Sequence, residues 1–498
     1  VTLRVTILSR EYFFVALLCL IAAVRVFVFS AAFPFFNNVD EDSHFDLVWK
    51  YSKGKLPQKE NTLRDLEFLE LQALFGSPEY LKKPHQFRSG TIPPPLWSAP
   101  KEVRSRTVEW FKGKNRVNRE EYSEPLYYAI AGAWLATGRA LGLTGGGLLY
   151  WTRFLNVPVF VLVIIIAWRT GVMCFPEDVN QRLGVPLMVS FLPQDILYAI
   201  NSDVFSPLFS GIAFYFLVRL LNQRVHWIYF FAAGASLAAA ILVKVTNIPL
   251  LCSLGIALFF YVKRNKLTSG RMLKIALLAM ALVGPLAGWY FWKIVTVGEF
   301  AAATHKMADL SITYKPLSEV FDHPVFGLSG FWYFFHNLLA SFWRGEFVWG
   351  LERLAHPAAD YVYSVSSMVL IGIATIHGLR SRNDTMQRDV LLMSAGTVVS
   401  AIVLMGVLSI IFDFGSCHYP SRANPYFVSG RLILCAVIPF FTLYVNGVSV
   451  LLSRVFPSIK PIAVFSVIGL TITGVELWTR WPVFCSPYNF FHIPLANL

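Results

Sequence analysis

The sequence predicts an all-α polytopic membrane protein, and three observations carry that prediction. Hydrophobic residues make up 55% of the 498 residues and charged residues only 15%, with a mean hydropathy of +0.54. Apolar runs of the length needed to cross hydrocarbon as a helix, about 20 residues, recur about a dozen times. Aromatic residues reach 15%, with 14 Trp and 20 Tyr, the residue types that gather at both membrane–water boundaries. Runs of this length select helices over a barrel, since a helix satisfies its own backbone groups in lipid.

The net charge is +13. Nucleic acid is excluded as the partner this charge would serve, because the basic residues fall in short clusters between apolar runs. Such clusters mark cytoplasmic loops, and some of the cations are available to hold an anionic substrate. The six cysteines (Cys19, Cys174, Cys252, Cys417, Cys435, Cys485) show no metal-binding spacing, and four of them lie in apolar runs. Cys417 and Cys485 are the one pair placed outside the membrane, where a disulfide could form.

In chain order, Arg4 and Arg10 precede a first run from about Phe13 to Phe36. This run is too long for a signal-peptide core and reads as a retained helix with its start inside. Residues 37–124 form a first external loop, broken by seven prolines between Pro57 and Pro100. Within it, Thr62–Phe75 and Val103–Phe111 carry apolar residues at helical spacing, which predicts surface helices roofing the bundle. Pro125 to Leu143 opens the central group, residues 125–295, because Pro suits a first helical turn. Further runs follow at 149–168, 183–200, 204–221, 227–243, 248–262 and 275–295. A second large external loop covers 296–360, and the C-terminal helices occupy 361–498, with runs at 361–379, 390–412, 427–452 and 462–478. Gly145-Gly146-Gly147 lacks a following Lys-Ser/Thr and reads as a turn, not a nucleotide loop.

The basic clusters at 263–274, 380–388 and 454–460 are assigned to the inside. Counting crossings back from Lys263 puts Asp203 outside, whereas counting forward from Arg4 puts it inside. The clusters take precedence, so one segment between Pro125 and Ile200 is expected to be re-entrant or merged, leaving an odd number of spans.

With that orientation the chemistry gathers at the outer end. Asn37-Asn38-Val39-Asp40-Glu41-Asp42-Ser43-His44 directly follows the first run, and carboxylates beside hydrocarbon are costly unless paired or used. Asp40, Glu41 and His44 can converge on one proton, one metal ion or one substrate hydroxyl. Glu124, Asp203, Lys244, His418, Arg422, Tyr426 and Arg431 fall at the same end. Arg344 and Glu346 read as an interfacial pair, and Arg422 has Asp413 nearby as an ion-pair partner. Acids and a histidine come from the N-terminal half and cations from the C-terminal half, which suits a site that deprotonates a hydroxyl beside a phosphate.

Val39-Asp40-Glu41 after the first run, the long loop with surface helices, Glu124-Pro125-Leu126-Tyr127-Tyr128, Asn201-Ser202-Asp203 and Ser429-Gly430-Arg431-Leu432 together resemble the GT-C superfamily. These are membrane glycosyltransferases using polyprenyl-phosphate sugars, with protein O-mannosyltransferases and aminoarabinose transferases among them. The resemblance spans almost the whole chain, although Leu432 replaces the usual aromatic and no Trp-Trp-Asp-type motif is present. It implies a GT-C fold of about 11–13 transmembrane helices. It also implies an inverting transfer of a sugar from a polyprenyl-phosphate donor to an acceptor hydroxyl at the external face. Asp40 would then be the base and Glu41 would orient the acceptor or share the proton. Arg431, Arg422 and Lys244 would neutralise the phosphate, and His44, Glu124, Asp203 and Tyr426 would line the substrate site. A divalent cation, Mg²⁺ or Mn²⁺, is a further use of Asp40, Asp42, His44, Glu124 and Asp203. The acceptor is a lipid, glycan or protein. Val1 is consistent with an alternative bacterial start codon, so the expected location is a bacterial inner membrane with the site facing the periplasm. Two other readings stay open: a transporter or lipid flippase, and a surface-glycan polymerase or ligase of the same fold. Transporters usually carry inverted repeats and midplane charges, and neither stands out here.

Overall fold

The computed structural model describes residues 2–59, 62–222, 225–300, 304–381, 385–417 and 420–494, so His418 lies outside the described residues. The described chain is almost entirely helical. Nine of its helices are long and apolar enough to cross a membrane: Arg10–Ala32, Gly145–Cys174, Ser202–Leu220, Val245–Arg264, Ser269–Val297, Pro357–Arg380, Met386–Ile411, Gly430–Val455 and Pro461–Phe484. This is an all-α polytopic membrane protein.

The path of the chain follows from which ends touch. Arg153, at the head of the helix Asn156–Cys174, donates to the carbonyls of Ser30 and Phe33 at the far end of the first helix. Lower down, Trp168 meets Tyr12 edge-on at 5.2 Å, so the two helices run antiparallel. The shorter helix Val179–Ser190 then climbs back. Its Arg182 pairs with Glu11, and the Ser190 carbonyl accepts from Arg25 at 2.7 Å. Trp227–Val243 is likewise apolar but short, and it links the opposite end to Lys244. With both included, Asp40, Asp203, Lys244 and Arg431 all come to one end of the bundle. The described residues of the three basic clusters fall at the other.

The segment from Pro125, expected to span as far as Leu143, makes no net crossing. Tyr128 near its start bonds His44 at 2.7 Å, and Arg153 after its return bonds Glu41 at 2.6 Å. Pro125–Ala140 and Gly145–Phe154 thus form a helical hairpin that begins and ends at the Asp40 end. Trp134 and Trp151 close it, with rings parallel at 4.4 Å. Each indole N–H donates to the other residue's carbonyl, at 2.7 and 2.9 Å. The expected run at 183–200 also breaks early, with helix to Ser190 and a 3₁₀ turn at Asp195–Tyr198 beyond Pro193, because Pro193 cannot continue the hydrogen-bond ladder.

The first loop does form helices, at Leu66–Phe75 and Lys101–Gly113. Asp65 caps the former by accepting from the Glu67 N–H at 3.1 Å. Its apolar face turns to protein and not to the membrane surface: Phe68 lies 5.8 Å from Phe36 and 5.9 Å from Phe45. No disulfide joins Cys417 to Cys485.

Charges inside the bundle are locked in pairs. Arg25 in the first span meets Glu476 in the last at 3.1 Å, and both are buried. The guanidinium also donates to the Leu192 carbonyl and to the Tyr198 hydroxyl, which in turn donates to Glu476 at 2.6 Å. Removing one partner of such a pair strands the other charge in low dielectric, at a cost of about 3–5 kcal/mol. Arg25→Met should therefore lower the unfolding midpoint in detergent sharply, and Arg25→Met with Glu476→Met should recover part of the loss. Equal loss in the single and double variants would show that packing, not charge pairing, is what the site supplies.

Candidate functional site

Three short motifs build the site, each by a local physical device. Asp40 caps the helix Glu41–Ser52 with a left-handed backbone, φ 59°, a conformation that is uncommon outside glycine and costs about 1 kcal/mol or more. That turn swings the Asp40 side chain off the helix axis toward the bundle mouth. Asn201 accepts from the Asp203 N–H at 2.9 Å and donates to the Val39 carbonyl at 3.3 Å, which fastens Asp203 beside the Asp40 turn. Ser429 donates to Glu346. Gly430 lies so close to the next helix that a Cβ would sit 2.0 Å from the Phe342 nitrogen, and its own N–H donates to Ser341 Oγ at 2.9 Å. Only glycine permits this approach, and it aims the following residue, Arg431, into the mouth.

Arg431 is the hub. Its guanidinium reaches Asp203 at 2.9 Å and Asp40 at 3.3 Å, with Glu346 at 4.0 Å. Asp203 is also paired with Lys244 at 2.5 Å. Asp203 is almost fully enclosed, with 1% side-chain exposure, whereas Asp40 keeps 29%. A second layer comes from the loops: Glu120 accepts from Ser123 at 2.5 Å and pairs with Lys306 of the second loop. Burial would raise the Glu120 carboxyl, but the charges of Lys306 and its neighbours outweigh it and hold the group well below the usual carboxylate range. His44 is buried and its pKa is pushed down to about 4 by that burial, so at neutral pH it is an uncharged ring bonded to Tyr128. Burial likewise raises Glu124.

Of the residues expected from sequence, Asp40, Asp203, Lys244 and Arg431 therefore meet, with His44 and Glu124 behind them. Glu41 does not face the mouth. It is fully buried, with one oxygen held by Arg153 and the Ile200 N–H at 2.9 Å and the other by the Phe36 N–H at 3.0 Å. Its role is to fix the turn that presents Asp40. Arg422 is paired with Asp413 at 2.9 Å on an exposed surface, and Tyr426 packs on His323 and Tyr333; neither joins the cluster. Arg344 takes Asp360 at 2.7 Å in place of Glu346. The metal set is not assembled. Asp42 turns away to Arg64 at 2.7 Å, and Asp40 and Asp203 face cations that would repel Mg²⁺ or Mn²⁺. No group of three or more His, Cys, Asp or Glu side chains among the described residues is placed to hold a metal. Lys306, Glu120 and Arg153 were not expected. Each acts across a large sequence separation, and only the Glu120-Glu121 pair just ahead of Glu124-Pro125 gave a local hint.

The family described as "Predicted membrane protein (DUF2142)" matches residues 23–413. The chain belongs to this family. No curated protein matches it. The solved structure of an Archaeoglobus fulgidus oligosaccharyltransferase, a complex with Zn and sulfate, aligns at 12% identity and a TM-score of 0.44, covering 93% of this chain and 53% of that one. The chain thus spans about half the length of that protein.

Beside the site, Lys50 serves two carboxylates, Glu121 at 2.5 Å and Asp46 at 3.4 Å. One ammonium cannot neutralise both, and burial, only partly opposed by Lys50, pushes Glu121 up to about 7 from 4.5. A carboxyl raised in the folded state contributes stability below its unfolded pKa, and that stability is lost as pH rises through the folded value. The contribution of Glu121 to thermal stability should accordingly fall between pH 4.5 and pH 7, by up to about 3 kcal/mol, against an opposite contribution from His44, whose lowered pKa makes stability rise with pH between about 4 and 6.5. Glu121→Gln should make the slope of stability against pH in that window more positive than in the wild type; an unchanged slope would show that Glu121 contributes nothing there.

Proposed function

We propose that this protein transfers a sugar from a polyprenyl-phosphate donor to an acceptor hydroxyl, with inversion, at the Asp40 end of the bundle. The observation that supports it most is the Arg431 hub. One guanidinium is shared between a half-open carboxylate and a closed one, with a second cation, Lys244, on the closed side. The cations are already engaged, so an incoming phosphate competes with carboxylates for them. Arg431 can offer a bidentate fork to phosphate oxygens, and Asp40, a longer and more exposed contact than Asp203, is the partner most readily displaced. Donor binding would then release the base at the moment a base is needed.

In the reaction so arranged, the acceptor oxygen attacks the anomeric carbon and its proton passes to the Asp40 carboxylate. The bond from that carbon to the phosphate oxygen breaks, and the electron pair leaves with the lipid phosphate. Arg431 and Lys244 face the charge that grows there, which is where preorganised cations contribute most to rate. Asp203 holds both cations in place. Since the assembled residues do not suit a divalent ion, the mechanism relies on these side chains alone. The basic clusters at the opposite end favour an orientation with the site on the outer face, in keeping with a lipid-linked donor used outside the cytoplasm.

The test is sugar release from a polyprenyl-phosphate-linked donor by purified protein in detergent. Asp40→Asn keeps the size and the left-handed turn but cannot take the proton, and it should reduce turnover by about 100-fold or more with an unchanged unfolding midpoint. Folded wild-type protein that neither binds nor turns over such donors would overturn the proposal.

A further inference from the structure

The second loop carries an apolar surface that the site does not use. Leu317, Phe321 and Leu328 are 86%, 79% and 87% exposed, and Phe326 and Phe331 are also open. Phe321 and Phe326 lie nearly parallel with ring centres 6.4 Å apart. This is not a frayed segment. His323 points inward, with one ring nitrogen on the Pro425 carbonyl at 2.8 Å and the other accepting from the Val325 N–H at 3.0 Å, and Val325 itself is buried. The backbone is thus held firmly while its large apolar side chains are turned out. Contiguous open apolar surface of this kind marks contact with something apolar.

Its position says what. Thr313 and Tyr314 pair as a short antiparallel ladder with Asp413 and Phe412, and the Lys315 N–H donates to the Ile411 carbonyl at 2.9 Å. Ile411 is the last residue of the span Met386–Ile411, so the segment starts where that helix leaves the hydrocarbon. That span also turns Val399, Val403 and Val407 outward, so open apolar side chains are found on both. The charges say how it is held. Lys315 is set against Asp413 and Glu319, Asp322 adds a further acid to the segment, and Arg422 is already paired with Asp413, leaving no cationic excess of the kind that draws a segment to anionic headgroups.

We infer that residues 313–331 form a monotopic anchor that sinks Leu317, Phe321, Phe326 and Leu328 into the lipid leaflet on the Asp40 side, held by apolar contact and indifferent to headgroup charge. The anchor would fix the height of the second loop, and with it Lys306 over Glu120.

The test uses the whole wild-type chain in phosphatidylcholine nanodiscs containing a lipid with a photoactivatable diazirine in its acyl chain. Mass spectrometry then reads carbene insertion and, separately, hydroxyl-radical oxidation. Phe321, Phe326 and Leu328 are expected to take the acyl-chain label and to be several-fold protected from hydroxyl radical relative to Trp110, which is exposed on the first loop. Leu317→Glu with Phe321→Glu should reduce labelling of Leu328 several-fold while leaving labelling of the spans unchanged. Added phosphatidylglycerol should change nothing. Oxidation matching Trp110 with no acyl-chain label would overturn the inference. So would protection without label, which would mean a second copy or a polypeptide covers the patch, and so would labelling that depends on phosphatidylglycerol.

Discussion

The structure depends on one constraint: a charge placed in or beside hydrocarbon must find its partner within the protein. Every deeply placed cation described here obeys it. Arg25 spends its donors on Glu476, Tyr198 and two carbonyls. Arg153 spends its donors on Glu41 and the carbonyls that end the first helix. Because the partners lie on helices far apart in sequence, each pair also fixes which helix ends meet, and in which order. At the mouth of the bundle the rule is satisfied by sharing: Arg431 is divided among Asp40, Asp203 and Glu346. A shared cation can be taken by a better ligand without leaving a carboxylate isolated, and this separates a site from a lock.

Two of the acids that follow the first helix illustrate the difference. Glu41 is adjacent to Asp40 in sequence, yet Glu41 is closed off by Arg153 and two backbone N–H groups whereas Asp40 stays half open on a left-handed turn. The buried residue positions and the open one is available for chemistry. Gly430 plays the same positioning part on the other side, where helix contact closer than any side chain allows sets the direction of Arg431.

Much of this was legible in the sequence. Apolar run length gave the class and most of the spans, since crossing hydrocarbon leaves little freedom in composition. The basic clusters, read against the count of runs, required one segment between Pro125 and Ile200 to be re-entrant or merged with a neighbour, and the hairpin from Pro125 to Phe154 makes no net crossing. Asp40, Asp203, Lys244 and Arg431 were legible because an ionisable residue at a helix end is conspicuous against apolar surroundings. What was not legible has a common cause. Glu41 and Asp40 look alike in sequence, and only the φ of one residue separates their roles. Arg422 and Tyr426 share the Asp40 end of the bundle with the site, but membrane depth is one coordinate and leaves the lateral position free. The metal set failed because Asp42 follows the helical turn away from Asp40 to Arg64. Lys306 reaches Glu120 from another loop altogether.

The central claim is that Arg431 at the bundle mouth receives a lipid-linked phosphate. Its most direct measurement is the rise in unfolding midpoint produced by polyprenyl phosphate, the proposed leaving product, on wild-type, Arg431→Gln and Arg422→Gln protein in detergent. Stabilisation of the wild type is expected, since a ligand that binds only the folded state must stabilise it. That stabilisation should be kept in Arg422→Gln and lost in Arg431→Gln. Stabilisation that survives in Arg431→Gln, or that is absent from folded wild type, would contradict it.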